Sequence, residues 1–130
     1  MASHKELIVW QKSMNLTQKV YEVTALLPYD EKYGLVSQMR RCAISITSNI
    51  AEGYGRDSDK ELVNFLYISV GSCNELDTQL ELSKRFGFVE EQLFRETDSL
   101  NQEVLKMLKS LIYRRKNHLD SFHHTVIDGN

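Results

Sequence analysis

A single proline, Pro28, in 130 residues is the strongest constraint on what this chain can fold into. Proline fixes φ, removes a backbone donor and punctuates the many turns of sandwiches and barrels. A chain with one such break is built from a few long segments, and here its other breaks are glycines. Gly53-Tyr54-Gly55-Arg56-Asp57 holds two residues free to take positive φ, and Gly87 follows Phe86 as a glycine follows a helix C-terminus. Segments 7–27, 33–52, 58–86 and 90–116 remain, with 117–130 as a tail. Each segment suits a bundle helix, and the third would measure about 43 Å at 1.5 Å per residue.

Periodicity points the same way. Leu7, Trp10, Met14, Thr17, Tyr21 and Thr24 form one stripe of the first segment, and Val9, Ser13, Leu16, Val20, Val23 and Leu27 a second. Together they make an apolar face wider than an ordinary surface helix needs. Leu62, Leu66, Ser69, Cys73, Leu76, Leu80 and Ser83 repeat the rhythm in the third segment, where Ser58 and Glu61 read as a capping box. Leu93, Thr97, Leu100, Val104, Met107 and Leu111 carry it through the fourth. Short loops force sequential helices to pack antiparallel. The expectation is an all-α, up-down-up-down four-helix bundle forming one domain over residues 1–130.

Composition narrows the chemistry. A chain of this length buries roughly two-thirds of its unfolded surface and needs neither disulfide nor metal to fold. Cys42 and Cys73 lack the CxxC spacing of redox or zinc sites and read as small buried hydrophobes. No apolar run follows a basic start, and no uncharged stretch approaches a membrane span, so a cytoplasmic protein is expected. Phosphate loops, HExxH and nucleophile elbows are absent. The four histidines are His4, His118, His123 and His124, all near the termini, whereas a di-iron bundle needs Glu-x-x-His pairs within its helices. Adjacent His123 and His124 read as a solvated tail. No metal, no cofactor and no catalytic residue is expected.

Two features do not fit a plain bundle. On the second segment Leu35, Met39, Cys42, Ala43, Ile46 and Ile50 share one face, and Gln38, Arg41, Ser45, Ser48, Asn49 and Glu52 lie opposite. Serine and asparagine are poor helix formers, so their presence suggests a packed polar contact with a helix or subunit rather than a wet surface. On the third segment Gly71-Ser72 interrupts a long helix, and Glu75 shares a side with Ile68, Leu82 and Phe86. A carboxylate there calls for a partner, with Arg40 and Arg41 as candidates, and Gly71 would mark a close helix approach. The surplus apolar surface favours a homo-oligomer.

These residues appear in a recognisable order: Trp10, Tyr21, Tyr33-Gly34-Leu35, Gln38-Met39-Arg40-Arg41, Ser48-Asn49-Ile50-Ala51-Glu52-Gly53, Arg56, Gly71-Ser72 and Glu75. From about Leu7 to Lys116 the chain resembles the bacterial proteins encoded in intervening sequences of 23S rRNA genes, also called S23-type. The resemblance implies a helical bundle assembling as a cyclic pentamer. A related branch comprises the accessory proteins of diversity-generating retroelements, which associate with a reverse transcriptase and its nucleic acid. Arg40, Arg41, Asn49, Glu52, Arg56, Gly71, Ser72 and Glu75 match motif positions, and the family supplies no catalytic residues.

The formal net charge of −2 departs from the strongly basic retroelement branch, but it conceals local asymmetry. Lys106, Lys109, Arg114, Arg115 and Lys116 occur between Val104 and Leu119 with no acid, and Arg40, Arg41, Arg56 and Lys60 form a second basic group. Repeated around a ring, such patches would sum phosphate contacts into salt-sensitive RNA or DNA binding. Cations in last turns also complement the helix dipole and aid solubility. Tyr29 and Tyr54, in turns, could stack on bases. The leading expectation is a self-associating, nucleic-acid-associated accessory factor; the alternative is a scaffold that binds a protein partner without nucleic acid.

Overall fold

The structure, a computed structural model, describes residues 3–128, with side chains described through His118; His123 and His124 lie outside the described side chains. Four helices account for most of it: α1 Ile8–Ala25, α2 Ser37–Tyr54, α3 Asp59–Arg85 and α4 Glu91–Asp128. No strand occurs among the described residues. The contacts between helices fix their directions. Lys12 pairs with Glu103 and Lys19 with Glu96, so numbers rise along α1 as they fall along α4. Ser83 reaches Met39 and Ser69 reaches Ile46, which sets α2 against α3 the same way. Asn101 with Cys73, and Lys116 with Tyr67, do so for α3 and α4. Arg40 with Thr24 completes the circuit between α1 and α2. The chain is all-α, an antiparallel four-helix bundle in which each helix flanks the next and α4 closes on α1.

Its core is the set of apolar stripes. Leu16, Val20 and Val23 of α1 meet Met39, Ile46 and Ile50 of α2, Leu66, Leu76 and Leu80 of α3, and Val104 and Leu108 of α4, all fully buried. On α1 the stripe Val9, Ser13, Leu16, Val20, Val23 faces inward; the other stripe lies along the rim, with Trp10 half-buried and Met14 and Tyr21 exposed, save for Thr24, which is buried. Some buried hydroxyls are satisfied within their own helix, Thr24 donating to the Val20 carbonyl and Thr97 to that of Leu93, so they cost little where they lie.

The connections follow from a few residues. Ser58 caps α3, its Oγ accepting the Glu61 N–H at 3.2 Å. Gly87, with φ of 75°, ends that helix, where Phe88 N–H donates to the Ser83 carbonyl and Gly87 N–H to that of Lys84. The entry to α2 differs from the sequence expectation. After the 3-10 turn Tyr29–Glu31, a wide π-type turn occupies Lys32–Val36, and α2 begins at Ser37 rather than at residue 33. The Glu31 carboxylate accepts the Leu35 N–H and occupies the space a Cβ on Gly34 would need. The Gly53–Gly55 break is also later: Gly53 and Tyr54 belong to α2, and Gly55 has φ of −86°. The third difference is α4, which continues through residues 117–128 instead of yielding a tail at Lys116. No glycine or proline stands between Lys116 and Asp128, so nothing terminates it.

Candidate functional site

Two surfaces gather the polar residues singled out from the sequence. The first is the outer seam between α2 and α3. Ser72 Oγ donates to Ser45 Oγ at 2.8 Å, and Asn49 Nδ2 donates to the Ser45 carbonyl at 2.8 Å and to Ser45 Oγ at 3.1 Å. Ser45 of α2 therefore meets Ser72 of α3, and two small side chains at the contact let the helices approach. Ser48 is exposed beside them, and Glu52 pairs with Arg56 one turn on.

Glu75 and the two arginines are not joined. Arg40 turns to α1, donating from Nε to Thr24 Oγ1 at 2.9 Å and lying 4.3 Å from the centre of the Tyr21 ring. Arg41 is exposed. Glu75 instead accepts from the Cys42 thiol at 3.4 Å and stays largely in water, which removes its need for a buried cation. Gly71 is corrected too: a Cβ there would meet nothing within 4 Å, so it marks no close approach inside the chain. That role falls to Gly53, whose Cβ would stand 3.0 Å from both Leu62 Cδ1 and Phe65 Cβ.

The second surface is the C-terminal half of α4. Arg115 is held by Asp59 at 3.1 Å, with His118 on the other carboxylate oxygen, so it serves the joint between α3 and α4. Arg56 is similarly engaged with Glu52 and stacks on Phe65. Lys106, Lys109, Arg114 and Lys116 are exposed and form no ion pair among the described residues, and Lys60 on α3 is in the same condition. Lys106 and Arg114 border an open groove of about 550 Å³ floored by Leu7, Val9, Met107 and Leu111, with Glu6 also on its lining. Lys109 and Lys116 border a smaller one, of about 270 Å³, with Tyr67, Val70, Ile112 and Tyr113.

The tyrosines of that smaller groove are functional candidates that the sequence pattern did not single out. Tyr113 lies inside the cation run, four residues after Lys109 and three before Lys116, a helical spacing that places them on one side. Tyr29 is exposed, under Lys32, but far from this run in the chain, and Tyr54 packs against the core.

Both thiols are inert at neutral pH. Burial, with help from the Glu75 carboxylate, pushes Cys42 up to about 11, and burial pushes Cys73 up to about 12. Among the described residues no three His, Cys, Asp or Glu side chains converge as a metal site, and no helix is long and apolar enough to cross a membrane.

Residues 5–110 match the family described as 23S rRNA-intervening sequence protein. The chain belongs to that family. A solved member of the S23 ribosomal protein family from Bacteroides thetaiotaomicron VPI-5482, described as a protein of unknown function, has a similar fold with a TM-score of 0.75 at 25% identity. The likeness covers 81% of this chain and 98% of that one. No curated protein matches the chain. Membership of the 23S rRNA-intervening sequence family rests on nearly all of the bundle, and the last turns of α4, beyond residue 110, lie outside the match.

Proposed function

We propose that this intervening-sequence protein is a non-catalytic, self-associating bundle of the cytoplasm that works as a nucleic-acid-associated accessory factor. The observation that carries the reading is the outer face of α4, where Lys106, Lys109, Arg114 and Lys116 stand in water without acidic partners among the described residues. Arg115, by contrast, is held by Asp59. Four cations within three turns, unpaired among the described residues, create a local positive potential on a chain whose total charge is slightly negative. Self-association, as the pentamer that the family resemblance implies, would repeat the patch and sum its phosphate contacts.

The test is fluorescence anisotropy of labelled RNA and DNA across a salt titration. The expected result is saturable binding whose logarithm falls linearly with that of salt concentration. Replacing Lys106 and Arg114 by glutamine should flatten the slope by roughly 0.7–0.9 for each phosphate that is no longer neutralised. Failure to bind either RNA or DNA at low salt overturns the reading.

One observation supports the alternative of a protein-binding scaffold. Ile44 and Ile68 are 45% and 50% exposed on the outer side of α2 and α3, beside the Ser45–Ser72 seam. A partner recovered from its native cells after nuclease treatment would favour that version.

A further inference from the structure

We infer that the groove between α3 and α4 is a seat for one unpaired nucleobase, which makes the ligand a single strand rather than a duplex; the inference rests on the nucleic-acid reading above. The groove is built from two helices running in opposite directions. Tyr67 and Val70 come from α3, and Lys109, Ile112, Tyr113 and Lys116 from α4. Ile112 is buried and Val70 half-buried, so they form an apolar floor, while Tyr113 is 68% exposed and Tyr67 47%. Two large aromatic rings are thus left in water on either side of an apolar floor, at a place where a bundle could have put lysine or glutamate.

The cations at this groove are placed for a phosphate chain. Lys116 Nζ donates to the Tyr67 hydroxyl at 3.1 Å and lies 5.6 Å from the centre of its ring, so one side chain fixes the other. Lys109 stands two turns earlier on α4, about 10 Å away along the axis by helical rise. None of the six lining residues is acidic. The volume of about 270 Å³ lies just below the range of ordinary small-molecule pockets, which suits one flat ring and not an extended ligand. An apolar floor, tyrosine walls and a lysine at each end match a base that stacks while its flanking phosphates meet the ammonium groups. A duplex keeps its bases stacked on one another and can offer the groove only phosphates.

The full chain tests this with fluorescein-labelled oligonucleotides of about a dozen nucleotides, compared by anisotropy at one low salt concentration. The probes are oligo-uridine RNA, oligo-thymidine DNA, a DNA strand of the same length with abasic sites, and a mixed-sequence duplex. Either natural single strand should bind about ten-fold more tightly than the abasic strand. The ratio between the two natural strands identifies RNA or DNA as the preferred source of the base. Tyr113→Ala should erase the preference over the abasic strand, and Tyr113→Phe, which keeps the ring, should retain it. Circular dichroism melts of both variants establish that the bundle is intact, as the exposure of Tyr113 leads one to expect. Equal binding of natural and abasic strands, still weakened by salt, overturns the base seat while leaving the nucleic-acid reading in place. Binding of neither strand nor duplex overturns both.

Discussion

Gly71 sits in the middle of α3, where glycine costs about 1 kcal/mol relative to alanine, and Gly53 in the last turn of α2, and their surroundings are opposite. Gly53 is buried where α2 turns into α3, with Leu62 Cδ1, Phe65 Cβ and the Leu62 carbonyl within 3.0–3.3 Å of where its Cβ would be. The last two are bound to backbone and cannot swing away. Gly53→Ala should therefore lower stability by about 1 kcal/mol, the strain of overpacking outweighing the gain in helix propensity. Urea denaturation measures it, and a midpoint at or above that of the parent chain would show that the turn can yield. At this scale the sequence was partly legible. Ser45 was recognisable as a contact with α3 because serine is a poor choice for an exposed helix, whereas Asn49 beside it bonds only within α2. The partner of Glu75 was not, since a wheel shows which side a carboxylate shares but not how far the helix rotates it toward water. The same ambiguity hid Arg40, whose guanidinium lies over Tyr21 on the opposite flank of α2.

Between elements, charge decides what packing leaves open. On the α3–α4 flank, Gln102 Nε2 donates to Asp77 at 3.1 Å and to Asp98 at 3.4 Å, which holds two carboxylates close together. Partial burial, then the Asp98 charge, raises the Asp77 carboxyl above its usual range. A raised carboxylate is one whose charged form the fold disfavours, so the pair subtracts stability at neutral pH and the penalty fades as pH falls and Asp77 takes a proton. Asp98→Asn should stabilise the bundle at pH 7 by roughly 0.5 kcal/mol, the scale of an exposed charge pair. The gain should shrink toward zero in acid. Paired thermal melts at neutral and acidic pH check it; a gain that does not depend on pH would trace to helix propensity instead. Helix identity was readable at this scale because Ser58 and Gly87 are local signals whose geometry does not depend on the rest of the fold. The entry to α2 was not, because Leu35 continues the apolar rhythm of Met39 straight through the π-type turn. The end of α4 escaped for a related reason. The apolar stripe read along this segment ended at Leu111, which says nothing of where the backbone stops being helical.

For the whole molecule, the unassigned surface is the outer side of α2 and α3. Ile44 and Ile68 stand out from it, Leu82 continues the row along α3, and Gly71 opens a gap in the same ridge. Inside one chain this glycine has no use: it lowers helix propensity, contacts nothing and takes no positive φ. A second copy seated over the seam would use it, because a missing side chain lets a neighbouring helix come close, as Gly53 does within the bundle. Self-association through this face predicts a mass in solution that is a multiple of the 15.1 kDa chain. Gly71→Leu should then reduce the mass to that of one chain with helicity retained, since leucine favours a helix and here clashes only with the partner. Light scattering coupled to size exclusion reads both quantities. A parent chain that runs as a monomer when dilute removes self-association altogether. A Gly71→Leu protein that keeps the parent mass moves the interface off this face, and the α4 cations would then be repeated about an axis that Gly71 does not set.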